Sequence, residues 1–329
     1  MKRPLSLKFF WAMALLFMVF SVHAQANRTQ GDAGLTEGLG EPKSTNVSEE
    51  YTAFLRLLRS KDTAAQRKFL TQWSGIGQQD PEYYVCQANY YLNLAQKEVI
   101  QMSTTPPQNG KESYSIQDSL GNTVGYMYSV PSMDEELSAN SRYWLNKGIA
   151  RFPRRLDLLF GKVHLFGLLH QHDSFSTTIL QAIEKSVDND FQWQWSKGVE
   201  LQDGKQFLFS TCQDYIAKLF YSEDSLGLIW IEPISLALLE IDPKNVPCIS
   251  NLAVSNMMLK RWSEAIPYLE KAYALNSHDD IVIANLGYSH FQLQNKSQAQ
   301  KYYKLLKKSK DKEYQQLASE MLQAVKKLK

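Results

Sequence analysis

The strongest constraint on this 329-residue chain is a period. When Val246–Asp279 is laid on Asp280–Glu313, identical or like residues recur 34 positions apart. Asn251 falls on Asn285, Leu252 on Leu286, Ser255 on Ser289 and Leu259 on Leu293. Ser263 falls on Ser297, Ala265 on Ala299 and Tyr268 on Tyr302, and the small Ala253 falls on Gly287. A fixed period of this length marks a repeated supersecondary unit that buries its apolar face only by stacking on its neighbours. Within each unit the apolar residues follow helical spacing, so the unit is a pair of helices. Two helices approach closely where one side chain is small. Ala253 and Gly287 on the first helices are therefore expected to face Ala265 and Ala299 on the second.

These residues at this period resemble the tetratricopeptide repeat, over about residues 236–309. The resemblance implies an all-α fold, a solenoid of antiparallel helical hairpins. It also implies a groove lined by the first helices, of the kind that takes extended or helical partner segments. Weaker echoes lie upstream. Asp80-Pro81 followed by Ala88 and Tyr91 resembles the junction of two units, and Tyr143-Trp144 through Phe152-Pro153 resembles a second helix and its closing proline. Gly161 and Ala182 are spaced more widely than the family pattern. The organisation expected is a signal segment at 1–26, a linker at 27–48, a degenerate helical region at 49–235, and repeats with a basic capping helix at 236–329.

Helical spacing begins at Glu49. Ala64 to Trp73 predict a helix that Gly75 and Gly77 end, and Tyr83 to Leu94 predict the next. Thr105-Pro106-Pro107 cannot lie inside a helix. After it, Tyr114, Ile116, Val124, Tyr126, Tyr128 and Val130 alternate with mostly polar residues about Gly121-Asn122. This predicts a β-hairpin near residues 113–130, inserted between helices. Helices resume from Met133. An irregular aromatic stretch holds Phe191, Trp193 and Trp195, and Pro233 predicts a break within a later helix.

The N-terminus has the order of a secretory signal. Lys2, Arg3 and Lys8 precede an apolar or small run from Phe9 to Val22, and small residues follow at Ala24 and Ala26. The run is shorter than the roughly 20 residues that span a bilayer; an uncleaved anchor is the alternative. Export to the periplasm or another cell-envelope location follows, with no membrane span after cleavage. Residues 27–48 are small and polar, with too little apolar surface to offset the entropy of ordering them. The formal net charge is +2, and the three cations of the first segment account for more than all of it. A near-neutral body does not suit nucleic-acid binding, which needs many cations to displace counterions.

Little in the chain points to chemistry. Cys86, Cys212 and Cys248 lack the paired spacing of a metal site and read as buried apolar residues, with one disulfide as the alternative. His164, His170 and His172 do not share a helix face. Glu135-Glu136 and Asp279-Asp280 stand where carboxylates favour helix starts. No cofactor is expected, and the chain reads as a non-enzyme. The lysine-rich C-terminal helix reads as a cap on the open end of the repeats, the alternative being an acidic partner or membrane surface.

The expected function is a protein–protein interaction scaffold for a protein or peptide partner. Its groove would carry Val254, Met257 and Met258 from one repeat and Tyr288, Phe291 and Gln292 from the next. These positions are mostly apolar where family members that grip a carboxylate carry Lys, Arg and Asn, so a hydrophobic segment is the expected occupant. The alternative cover is the chain's own C-terminal helix. A competing reading places a small-ligand or enzyme site at the inserted hairpin and the Trp193-Trp195 loop, since long insertions often carry function.

Overall fold

The computed structural model describes residues 48–107, 112–222 and 226–328. The expected signal segment, 1–26, and nearly all of the expected linker, 27–48, lie outside them. The described residues are mainly helical and form two compact units, 48–255 and 256–328.

The first unit opens with α1 (Glu49–Ser60), α2 (Thr63–Gly77) and α3 (Pro81–Ala95). Each start is set by a side chain that accepts from a free backbone N–H: Ser48 from Tyr51, Asp62 from Ala65, and Asp80 from Glu82. Pro81 takes the first turn of α3, where its missing N–H costs nothing. Helix α2 runs past Gly75 and ends at Gly77, the second of the two glycines expected to close it. Gly77 is there for closeness: a Cβ would stand 2.8 Å from the Tyr83 ring. An aromatic series then ties the helices together, Phe54 to Phe69, Trp73, Tyr83 and Trp144, with centroid spacings of 5.5–6.3 Å.

The insertion is a three-stranded antiparallel sheet of order β1-β3-β2, from β1 (Gln96–Ser103), β2 (Tyr114–Gln117) and β3 (Thr123–Met133). The expected hairpin is β2–β3. Its turn is held by Asp118, which accepts from the N–H groups of Leu120 and Asn122, with Gly121 at φ 83°. Strand β1 was not expected. It continues directly from α3, and Gln96 pairs with Met133 at the base. The Asp134 N–H donates to the Ala95 carbonyl, and Lys97 pairs with Asp134 at 2.7 Å. The insertion thus leaves and rejoins the helices at neighbouring points, and α3 still packs against α4 (Glu135–Arg151) as its hairpin partner.

The remaining elements of this unit are α5 (Leu156–Leu168), α6 (His172–Asp188), β4 (Gln194–Trp195), β5 (Val199–Glu200), α7 (Gly204–Phe220), the single turn α8 (Leu226–Ile229), and α9 (Ile231–Ile241). The break near Pro233 occurs at Trp230. The restart places the proline in the first turn of α9, where it interrupts no hydrogen bond.

From Val246 the period becomes visible in the elements. Helices α10 (Val246–Met258) and α12 (Asp280–Gln292) begin 34 residues apart, as do α11 (Trp262–Leu275) and α13 (Lys296–Leu306). Within the second unit α11 packs on α12, α12 on α13, and α13 on α14 (Lys312–Lys326). The last helix buries Ala318, Met321 and Val325 and keeps its lysines outside, as a capping helix does. Lys296 donates to the carbonyls of Lys326 and Leu328, closing the end of α14 with a cation.

Candidate functional site

The repeat core is built as the period predicts. Ala253, Ala265 and Ala299 are fully buried, as are Leu252 and Leu286. One pairing differs from the expectation. A Cβ on Gly287 would meet the Tyr303 ring at 2.9 Å, so glycine admits that ring rather than Ala299. Tyr303 is buried with its hydroxyl unpartnered, and burial raises its pKa well above the usual value. His290 stacks on Tyr302 at 5.6 Å, and neither ring nitrogen has a partner. Burial lowers its pKa; Glu270 opposes this and Lys301 adds to it.

The six residues expected to line the groove separate into two kinds. Met257 is 1% exposed, so it belongs to the core. The helix turns it about 100° from Met258, and that rotation carries it inward. Met258 is 39% exposed, while Val254, Tyr288, Phe291 and Gln292 are half-buried. Tyr288 meets Trp262 edge to face at 5.4 Å and hydrogen-bonds with Gln292. Burial raises the Tyr288 hydroxyl pKa, and the Gln292 contact partly offsets this. On the second unit Met258 is thus exposed, and Tyr288, Phe291 and Gln292 are partly accessible.

The aromatic stretch between α6 and α7 is structural. Trp193 is fully buried and donates to Ser186 Oγ at 2.9 Å, while Trp195 packs on Phe160 and Phe207. The cleft beside it, about 390 Å³, is lined by exposed Arg154, Asp190, Glu200, Asp203 and Lys205, and Arg154 is already paired with Glu200 at 2.8 Å. The three cysteines are buried free thiols. Burial raises all three, Cys248 to about 12, away from nucleophilic chemistry. His164 lies within α5, His170 follows its end with a left-handed backbone, and His172 opens α6.

A feature with no sequence signal is a buried ionic cluster. Arg155, 1% exposed, contacts Asp157 through two hydrogen bonds of 2.8 and 2.6 Å and Glu82 at 2.8 Å. Glu82 also accepts from the Lys197 N–H at 2.6 Å. Burial pushes the Glu82 carboxyl above its usual range, opposed by Arg155. Burial works against the Arg155 charge too, but Asp157 and Glu82 hold its pKa above the ordinary value. Ion pairs of this kind join segments that no local pattern relates.

The geometry of α10 to α14 has its counterpart in known sequences. Residues 256–321 match the tetratricopeptide repeat family. The match begins in the last turn of α10, takes in α11 to α13 and runs into α14, and leaves the upstream unit to be read from its structure. No curated protein sequence matches the chain. Among solved structures, PilW, described as a widely conserved type IV pilus biogenesis factor, aligns over 83% of this chain and 99% of its own, at 11% identity and a TM-score of 0.31. The pilF protein of Pseudomonas aeruginosa aligns over 51% of this chain and 67% of its own, at 14% identity and 0.26. An assembly chaperone of RpL4 (Acl4) aligns over 86% and 98%, at 10% identity and 0.32. Superpositions this loose carry no functional argument.

Proposed function

We propose that this protein is an exported interaction scaffold of the cell envelope, and that its repeat surface around Met258, Tyr288, Phe291 and Gln292 takes a hydrophobic segment of a protein partner. The observation that carries this reading is the partial exposure of Met258, Tyr288 and Phe291 on repeats whose small and leucine positions are closed in the core. The resemblance to tetratricopeptide repeats supports binding rather than catalysis. The export part rests on the order of residues 1–26, and among the described residues no helix is long and apolar enough to cross a membrane. Mass spectrometry of the exported protein should find an N-terminus near Gln25 or Asn27; an intact Met1 would replace export by anchoring. A photo-crosslinking residue placed at Met258 or Gln292 should trap a partner from envelope extracts, and the same residue at Lys304 should not. Equal trapping at all three positions, or at none, would remove the groove.

A further inference from the structure

The first unit holds a second cleft, of about 400 Å³, lined by Gln78, Tyr83, Tyr84, Trp144, Lys147 and Arg151. Its floor is held in place. Tyr83 and Tyr84 are buried and pack edge to face, and each also contacts Trp144. The Tyr83 hydroxyl accepts from Gln87 at 2.8 Å, and the Tyr84 hydroxyl donates to the Gln78 carbonyl at 3.2 Å. Two cations stand on this floor one helical turn apart on α4. Lys147 Nζ lies 4.7 Å from the Tyr143 ring centroid and 5.5 Å from that of Trp144. Arg151 donates to the neutral Gln79 Oε1 at 2.6 Å.

Among the described residues neither cation has a carboxylate partner. Around Lys147 the interacting groups are tyrosine hydroxyls, first that of Tyr143, and these favour its charged form. Like charges four residues apart weaken a helix by themselves. Side chains at this spacing start about 5–6 Å apart. In an extended strand, alternate side chains leave the same face about 6–7 Å apart. The two spacings match.

We propose that this cleft binds an extended acidic segment of a partner protein, with carboxylates at alternate positions paired to Lys147 and Arg151 and their aliphatic stems lying on Tyr84 and Trp144. This site is separate from the repeat surface and does not depend on it.

The test is calorimetric titration of the full chain with an octapeptide of alternating Glu and Val, acetylated and amidated so that no terminal carboxylate contributes. A Gln-Val octapeptide serves as the neutral control. The acidic peptide should bind at least about tenfold more tightly than the neutral one, the size expected when two exposed ion pairs are lost together. The double variant Lys147→Gln/Arg151→Gln should lose the same tenfold, and 0.5 M salt should weaken binding in the parent. Both residues are exposed, so the variant should keep its melting temperature, and Met258→Gln should bind the peptide like the parent. Equal binding of the two peptides, undiminished binding by the double variant, or no binding of the acidic peptide would each overturn the proposal.

Discussion

Residues 48–255 and 256–328 meet the same requirement, the burial of one stripe of each helix, by different means. In the second unit the repeat helices follow a local rule: Ala265 on α11 and Ala299 on α13 are buried 34 residues apart, and Gly287 on α12 admits the Tyr303 ring. In the first unit the rule is lost, and long-range contacts replace it. An aromatic series runs from α1 to α4, and the Lys197 N–H reaches across 115 residues to Glu82. A regular repeat is stable through what each residue does to its neighbours; a degenerate one needs specific partners far along the chain.

The largest expected effect tests the degenerate unit. Arg155→Met leaves Glu82 and Asp157 buried without their counter-charge, which should cost about 3–5 kcal/mol in urea unfolding. A loss below about 1 kcal/mol would mean that the cluster does not hold this unit together. Next comes the regular unit. Gly287→Ala pushes a methyl group against the Tyr303 ring and should cost about 1–3 kcal/mol through overpacking. An unchanged melting temperature would show that the ring has room to move, and that closeness is not what glycine supplies there.

A third effect is confined to acid pH. His290 is buried against Tyr302, near Glu270 and Lys301, and its folded pKa is lowered. The unfolded chain therefore binds the proton first. Stability should be full above the unfolded value of about 6.5 and should fall as pH drops below it towards the folded pKa. Urea unfolding at pH 7.5 and 5.5 should show this fall in the parent and a smaller one in His290→Leu. Equal slopes would assign the acid sensitivity to other groups. The smallest effect belongs to the exposed patch: Met258→Gln should change stability by no more than about 0.5 kcal/mol, since a surface side chain is exchanged. A larger loss would make Met258 part of the core, like its neighbour Met257.

The regular unit was legible because its signal is local. The buried positions Ala265 and Ala299, the caps Asp80 and Asp279, and the hairpin β2–β3 all follow from spacing of a few residues. Strand β1 was missed because Val99 and Ile100 are adjacent and every residue from Gln96 to Met102 is exposed, so no alternation marks it. Gly77 does end its helix, but that it also makes room for the Tyr83 ring could not be read from the sequence, because both roles call for the same residue. Met257 was expected on the surface and is buried, because the difference between core and surface there is a single helical step.

By itself the sequence determined the helical class, the 34-residue period and the site of the insertion. Each of these is carried by residues near one another along the chain, and short-range spacing is enough to express it. Only the tertiary structure decided that Arg155 is a buried ion, that Trp193 is core rather than ligand surface, and that Lys147 and Arg151 stand beside a floor of rings with no carboxylate partner among the described residues. Those outcomes depend on which distant segments supply or fail to supply a partner. A buried charge or an open cleft is a property of all the segments that surround it, and no window of the chain contains them all.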